Sequence, residues 1–287
     1  MHSSSVISSV YHLTKFGISF SVALTTATGY FLSTGKVDLT VVNPFLGVLF
    51  LAMSASTINQ VEEKETDKLM PRTQKRPLAN GSVSVKVAVL LAGILAILGF
   101  LVLFSDGVFV ALLGLFNLVW YNLVYTPLKY RTAFASIPGG IVGAIPPVIG
   151  WVAGGGHIMH LSALSLALFF FIGQIPHFWL ILFKYAHEYQ LAGIKLVTDK
   201  FSREQLKRVI FSWIMATSLS GSLLAFYIII NHNVVFYLIH ILSVSLVIYF
   251  VKWLGNKPDH ESSRAFITIN AYYLAIMLLI VIDYAFG

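Results

Sequence analysis

The sequence predicts an all-α membrane protein in which nine helices cross the bilayer. Of its 287 residues, 57% are hydrophobic and 11% are charged, and the mean hydropathy is +0.82. A soluble domain carries about 25% charged residues, so this chain has too few polar side chains to cover a water-facing surface. We therefore exclude a soluble enzyme, a soluble nucleic-acid-binding domain and a disordered chain.

Nine continuous apolar runs are long enough to be transmembrane helices. A helix needs about 20 apolar residues to cross about 30 Å of hydrocarbon, whereas a transmembrane β-strand is an alternating segment of about ten residues. The predicted spans, in chain order, are 16–34, 41–60, 85–104, 107–125, 135–153, 162–184, 209–230, 234–252 and 265–286. We treat 1–287 as a single transmembrane domain.

Lysine and arginine lie almost entirely on one side of the predicted bundle. The N-terminal arm, the connections after the even-numbered spans and the adjoining span ends hold 18 of the 19 residues, Lys257 among them, and the opposite side holds Lys36. The positive-inside rule places the N-terminus and the long connections in the cytoplasm, and Gly287 outside. Because topology accounts for the basic excess, we expect no nucleic-acid partner.

Nine of the 12 acids share this side, including Asp259 and Glu261, and most of them lie in two long loops. Acids contribute little to membrane orientation, so a mixture of acids and bases in these loops needs another explanation. The connections on the opposite side are short. We therefore expect the chemistry at the cytoplasmic mouth, in loops of about 59–84 and 184–208.

The remaining composition limits the cellular setting and the chemistry. The chain has no cysteine, which excludes disulfides, thiolate metal sites and a cysteine nucleophile. Residues 1–11 hold no positive region ahead of an apolar core, so we expect no signal peptide, and no Arg-rich presequence precedes the first span. We expect a bacterial inner membrane.

The first long loop places acids and an amide at helical spacing. Asn59, Glu63 and Asp67 are four residues apart, so on a continuing helix they lie along one face. One amide oxygen and two carboxylates suit Mg²⁺, which completes its shell with substrate phosphates. Three cations that could hold further diphosphate oxygens follow: Arg72, Lys75 and Arg76. A solvated helix stabilised by i,i+4 ion pairs explains these charges equally well.

The same loop contains an ordered motif, Asn59-x3-Glu63-x3-Asp67 and then Met70-x-Arg72-Thr73-x2-Arg76-Pro77-Leu78. It resembles the first signature of the UbiA superfamily of intramembrane prenyltransferases, and its second half is most similar to the protoheme IX farnesyltransferase (heme O synthase) branch. The resemblance implies nine transmembrane helices, Mg²⁺ as cofactor and a prenyl diphosphate as donor. It also implies catalytic and metal-binding roles for Asn59, Glu63 and Asp67.

A second motif, Tyr125-Thr126-Pro127-Leu128-Lys129-Tyr130-Arg131-Thr132, follows the fourth span. Topology alone explains Lys129 and Arg131 as well as a substrate role does, and Tyr125 is typical of a membrane interface. The segment also resembles a family segment, which implies that Lys129 and Arg131 face the diphosphate or an acceptor carboxylate and that Tyr125 contacts substrate. The glycines of the fifth span and Pro146-Pro147 predict close helix packing and a kink.

The sixth span contains an amide, a kink and an imidazole in Gln174-Ile175-Pro176-His177. A polar residue inside a span is a candidate functional residue, but a lone histidine is as often hydrogen-bonded to a neighbouring helix. Lys184, Glu188 and Tyr189 resemble the second family signature, which implies a second Mg²⁺ near Glu188. The interpretation adds Lys184 and His177 to the substrate contacts.

Two later features have no assigned chemistry. Ser202-x-x-Gln205 has the spacing of a capping box, so we expect 203–208 to open the seventh span as a basic, lipid-facing turn. Asp283 lies near the outer end of the last span, where we expect an interfacial position.

The resemblance implies Mg²⁺-dependent transfer of a farnesyl group from farnesyl diphosphate to a vinyl group of protoheme IX. The sequence departs from the family pattern at Phe16, which follows Leu13-Thr14-Lys15 where the family has proline, and at His187 and 195–198. These departures keep open a second acceptor class, a quinone precursor or glycerol phosphate. A third interpretation is a transporter with a buried polar pathway, although the charges lie in loops and the spans show no inverted repeat.

Overall fold

Helices build the entire membrane-spanning architecture in a computed structural model that describes residues 3–255 and 262–286, and the side chains from residue 7 onward. The helix bounds, in chain order, are α1 Ser3–Leu13, α2 Phe16–Thr34, α3 Val42–Glu62, α4 Lys64–Leu69, α5 Val85–Asp106, α6 Val108–Val119, α7 Thr126–Arg131, α8 Ser136–Ala153, α9 Leu161–Leu191, α10 Arg203–Tyr227, α11 Asn233–Gly255 and α12 Ser262–Phe286. Lys257, Asp259, Glu261 and Gly287, which the charge analysis placed, lie outside the described residues.

Nine helices in the described part of the chain are long and apolar enough to cross a membrane, which confirms the predicted number of spans. The fourth span, Val108–Arg131, joins α6 to α7 through a π-helical segment, Trp120–Tyr125. The seventh span begins at Arg203 because Ser202 caps it: the Gln205 N–H donates to Ser202 Oγ, and the Ser202 N–H donates to Gln205 Oε1. The predicted capping box is therefore confirmed.

The first and fifth spans, α2 and α8, pack at backbone contact. A Cβ atom on Gly150 would lie 1.8 Å from the Thr26 carbonyl oxygen, and one on Gly29 would lie 1.9 Å from the Pro147 carbonyl oxygen. Neither position accepts a side chain without movement of the backbone, as the glycine-rich fifth span predicts.

The two long loops meet at one end of the bundle. The sixth span, α9, bends at Tyr185, where φ is −113° and ψ is 23°. The chain after this bend packs onto the first loop through a small apolar cluster of Met70, Ala192, Ile194 and Leu196. The segments predicted to carry chemistry are thus in direct contact.

Two charged side chains outside the long-loop pocket are buried, and one of them, Lys207, was predicted to face lipid. Lys207 does not face lipid: it is 4% exposed, and Nζ donates to the Leu254 carbonyl oxygen at 3.1 Å. Asp283 lies in the last turn of α12, where its side chain is 1% exposed and accepts from the backbone N–H groups of Asn231 and His232 at 2.7 and 2.9 Å. Lys207 thus binds a carbonyl in the last turn of α11, which has no intrahelical partner, and Asp283 binds the two residues that precede α11.

Gly150→Ala tests the α2–α8 contact. We expect it to destabilise the protein by about 2 kcal/mol or more, because the added methyl group overlaps the Thr26 carbonyl. Gly93→Ala is the matched control, since a Cβ there meets nothing within 4 Å. Thermal unfolding in detergent measures both, and equal stability of the two variants would contradict the close contact.

Single cysteines on the naturally cysteine-free chain test the orientation. Lys36 and Lys75 have exposed side chains and lie at opposite ends of the bundle by the charge analysis. A membrane-impermeant maleimide is expected to label Lys36→Cys in intact cells, and Lys75→Cys after permeabilisation. The reverse pattern would show that the bundle is inverted.

Candidate active site

A polar pocket opens at the end of the bundle where the two long loops meet. Its lining includes seven residues predicted from the sequence: Asn59, Glu63, Asp67, Arg72, Arg76, Tyr125 and Lys129. They come from α3, α4, the first loop and the fourth span. The fold therefore brings together residues that are up to 70 positions apart in the chain.

Asn59, Glu63 and Asp67 form a polar stripe that continues past the end of α3. Glu63 joins α3 to α4 with φ −94° and ψ 8°, yet the Glu63 N–H donates to the Asn59 carbonyl at 2.9 Å and the Asp67 N–H to the Glu63 carbonyl at 2.7 Å. Asn59, Glu63 and Asp67 are 1%, 7% and 1% exposed. This burial rejects the solvated-helix interpretation for these three residues, whereas Glu65 pairs with Lys68 at the surface.

Two lysines from distant segments reach the stripe. Lys15 Nζ donates to Asn59 Oδ1 at 2.8 Å, and Lys129 Nζ donates to Glu63 Oε1 at 2.5 Å. A buried carboxylate without a cation is strongly destabilising, so Lys129 fixes both the charge of Glu63 and the position of the fourth span.

Arg76 folds the first loop back onto its own helix. Its Nη1 donates to both carboxylate oxygens of Asp67 at 2.8 Å and lies 4.0 Å from Glu63 Oε2. The Thr73 hydroxyl donates to the Asp67 carbonyl at 3.0 Å. The acids of this loop and a base that follows them in the sequence are therefore paired in space.

Burial and neighbouring charge act against each other in this pocket. Burial raises the pKa of the Glu63 carboxyl, but the ammonium groups of Lys129 and Lys15 outweigh it and hold that pKa below its ordinary value. Removal of the Lys15 ammonium from water, aided by the charge of Arg76, lowers the pKa of Lys15 to about 7. Glu63 is therefore ionised at neutral pH.

Lys15 is the pocket residue that sequence reasoning missed. It stands between α1 and α2 with φ 46° and ψ 48°, the one non-glycine residue with positive φ in the described chain. Left-handed backbone costs an L-residue about 1–2 kcal/mol, and such conformations cluster at functional sites. The signal lies in the family-like Leu13-Thr14-Lys15 opening, but the positive-inside rule alone also accounts for a lysine at this position.

The fourth span supplies an aromatic wall through its π-helical segment. Tyr121 and Tyr125 line the pocket together with Lys129, whose ammonium lies 5.0 Å from the centroid of the Tyr125 ring. Tyr125 also stacks on Phe178 of α9, with centroids 5.7 Å apart. Irregular π turns are frequent at functional sites.

Arg72 joins the first loop to the second. Its backbone N–H donates to Glu188 Oε2 at 2.9 Å, and its guanidinium donates to the Tyr189 hydroxyl at 3.0 Å. Glu188 thus holds the first loop in place and is absent from the lining of the pocket. Its predicted metal-binding role stays a prediction.

Four other predicted residues lie outside this pocket: Lys75, Arg131, His177 and Lys184. Lys75 and Arg131 are exposed, and Lys184 lines a second pocket. His177 packs its ring on Phe266 of α12, with centroids 4.8 Å apart. This ring contact connects α9 to α12.

The chain is similar in sequence to known prenyltransferases. The model of the UbiA prenyltransferase family matches residues 22–277. A protoheme IX farnesyltransferase of Geobacter sulfurreducens is 45% identical over 55% of this chain and 58% of its own length. Proteins of the same name from Cytophaga hutchinsonii and Flavobacterium psychrophilum are 39% identical over 68% of this chain and 69% of theirs, and 28% identical over 97% and 95%.

Solved structures share the fold. A structure of a digeranylgeranylglyceryl phosphate synthase superimposes with a TM-score of 0.76 at 17% identity, covering 97% of this chain and 98% of that chain. A UbiA homologue from Archaeoglobus fulgidus, bound to GPP and Mg²⁺, gives a TM-score of 0.66 at 16% identity over 95% of this chain and 99% of that chain. These similarities confirm the predicted nine-helix architecture.

Arg76→Gln tests the charge pairing in the pocket. It leaves Asp67 buried and unpaired, and we expect a loss of about 3 kcal/mol of stability. Adding Asp67→Asn removes the unpaired charge and is expected to restore part of the loss. Lys68→Gln is the control, because its partner Glu65 is exposed. Thermal unfolding gives the comparison, and an equal loss in the single and double variants would contradict the pairing.

Proposed function

The chain belongs to the UbiA prenyltransferase family, and we propose that it transfers a farnesyl group from farnesyl diphosphate to protoheme IX, forming heme O. Family membership makes it an integral membrane enzyme and rejects the transporter interpretation. One observation carries the proposal: Asn59, Glu63 and Asp67 share a buried pocket with three cations that bind them directly.

The relatives support this donor and this acceptor over the alternatives. Two proteins named protoheme IX farnesyltransferase are 45% and 39% identical to the matched parts of the chain. The digeranylgeranylglyceryl phosphate synthase is 17% identical, so its similarity is limited to the fold. A quinone precursor or glycerol phosphate as acceptor therefore has less support. The 18 of 19 basic residues on one side further support a bacterial inner membrane with the pocket facing the cytoplasm.

The donor atoms of the stripe fit Mg²⁺. Across residues 3–255 and 262–286 no three His, Cys, Asp or Glu side chains converge, but Mg²⁺ typically takes one or two carboxylates and completes its shell with phosphate oxygens and water. Glu63, Asp67 and the Asn59 amide oxygen would hold it. When bound, the ion would act as a Lewis acid on the diphosphate oxygens; the Archaeoglobus homologue with GPP and Mg²⁺ supports this assignment.

The cations of the pocket are placed to bind the leaving group. Lys15, Arg76 and Lys129 each lie within 2.8 Å of an oxygen of the stripe, so a diphosphate beside the stripe is also within their reach. Fixed positive groups stabilise the charge that develops on the diphosphate as the allylic C–O bond breaks. The electron pair of that bond leaves with the diphosphate.

The aromatic wall faces the carbon that loses the diphosphate. Tyr121 and Tyr125 offer ring faces that stabilise positive charge. Tyr125 is buried and Tyr121 is partly buried, which limits access of water to the allylic cation. The π electrons of a protoheme vinyl group form the new C–C bond to C1 of the farnesyl chain. Water then adds to the cationic carbon left on the vinyl group and loses a proton, which gives a hydroxyethylfarnesyl group.

Glu63→Gln and Asp67→Asn test the donor side. Each is expected to lower Mg²⁺-dependent pyrophosphate release from farnesyl diphosphate by about 10²–10³-fold, because a preorganised charge in the pocket is lost. Glu65→Gln on the same helix is the matched control, since Glu65 is exposed and paired with Lys68. Unchanged turnover in both pocket variants would overturn the site.

The acceptor is identified in the same assay by product mass. Purified protein is incubated with farnesyl diphosphate, Mg²⁺ and one of protoheme IX, an aromatic quinone precursor or glycerol phosphate. We expect the farnesylated, hydrated product with protoheme. A prenylated product with one of the other acceptors alone would replace heme O synthesis by that activity.

A further inference from the structure

A second pocket lies between α9 and α12, next to the first. Its wall is mostly apolar: it is formed by Leu180, Ile181, Phe266 and Ile267, with Tyr185 and Ser263 beside them. Two cations, Arg72 and Lys184, stand in the same lining. It is thus an apolar slot with positive charge at the end where the two long loops meet.

The charge of this pocket differs from that of the first. Its described lining residues include no acid, whereas Glu63 and Asp67 line the first pocket. The Arg72 guanidinium and the Lys184 ammonium lie 5.0 and 4.9 Å from the centroid of the Tyr185 ring. The pocket therefore suits a ligand that carries carboxylates of its own and needs no metal ion, because Arg and Lys pair directly with carboxylates.

We propose that this second pocket binds the acceptor, with the macrocycle of protoheme IX against the apolar wall and its two propionates at Arg72 and Lys184. This inference rests on the proposed function. The ligand class is specific: a flat, apolar body accounts for the Phe266 and Ile181 surfaces, and a dianionic edge accounts for the two cations.

The proposed acceptor pocket adjoins the donor pocket through shared residues. Arg72 and Ile181 line both, so groups bound in the two pockets meet at these side chains. Arg72 is held in place by Glu188 and Tyr189, which reduces the entropy that it loses when it pairs with a carboxylate. In this arrangement Glu188 acts on the acceptor as a positioning residue, through the backbone of Arg72.

Absorbance titration of the full-length protein in neutral-lipid nanodiscs tests the assignment. The probes are protoheme IX and its dimethyl ester, without donor. Lys184→Ala is expected to weaken protoheme binding about tenfold through loss of a charge-assisted contact, and to leave binding of the uncharged ester unchanged. Lys184→Glu is expected to weaken protoheme binding further. Lys86→Ala, which removes an exposed cation from the start of α5, is expected to bind like the wild type.

Steady-state kinetics separate the inference from the proposed function. In support, Lys184→Ala raises KM for protoheme about tenfold while KM for farnesyl diphosphate stays the same. Suppose that the wild type farnesylates protoheme. If Lys184→Ala then binds both probes like the wild type, or raises KM for the donor instead, the pocket assignment is overturned, and heme O synthesis stands. If the wild type neither binds nor farnesylates protoheme, both fall.

Discussion

A carboxylate buried in a membrane bundle needs a cation beside it, and this requirement organises the functional end of the protein. Glu63 is bound by Lys129, so the first loop is tied to the fourth span. Asp67 is bound by Arg76, which closes the first loop on itself. An unpaired ion in such surroundings is strongly destabilising. The packed bundle is therefore stable only when these segments are in contact. The electrostatics that would serve catalysis also specify the packing.

The spans could be predicted closely because hydropathy is a local property of the chain. The first span, 16–34, agrees with α2 in full, while the sixth continues to Leu191 and the seventh begins at Arg203. Polar residues extend both helices beyond their apolar runs. The seventh span begins at Arg203 because Ser202 caps it. The sixth span continues to Leu191 because its last turns pack on the first loop. Asn59, Glu63 and Asp67 also keep the helical four-residue spacing, because backbone hydrogen bonds link them in order, although α3 itself ends at Glu62.

The partners of the charges could not be read from the sequence, because they depend on how distant helices pack. Lys15 reaches Asn59, 44 positions away, because the turn between α1 and α2 packs against α3, where the Gln60 amide donates to the His12 and Leu13 carbonyl oxygens. Lys207 was expected in lipid for the same reason: nothing near it in sequence reveals the Leu254 carbonyl that it binds. The bend of α9 at Tyr185 likewise has no local signal in the sequence.

The π-helical segment at Trp120–Tyr125 has a further consequence for how this site can change over generations. A π turn holds one residue more than an α turn, and each residue of an α-helix advances the chain by about 100°. Deletion of a single residue there would restore a regular α turn, which covers the same rotation with one residue fewer, so Lys129 would still face Glu63. The fourth span would still cross the membrane, with its hydropathy intact. A one-residue deletion within the π-helical segment would therefore leave the Lys129–Glu63 pair in place, whereas the same deletion at 126–128 would rotate Lys129 by about 100° away from Glu63.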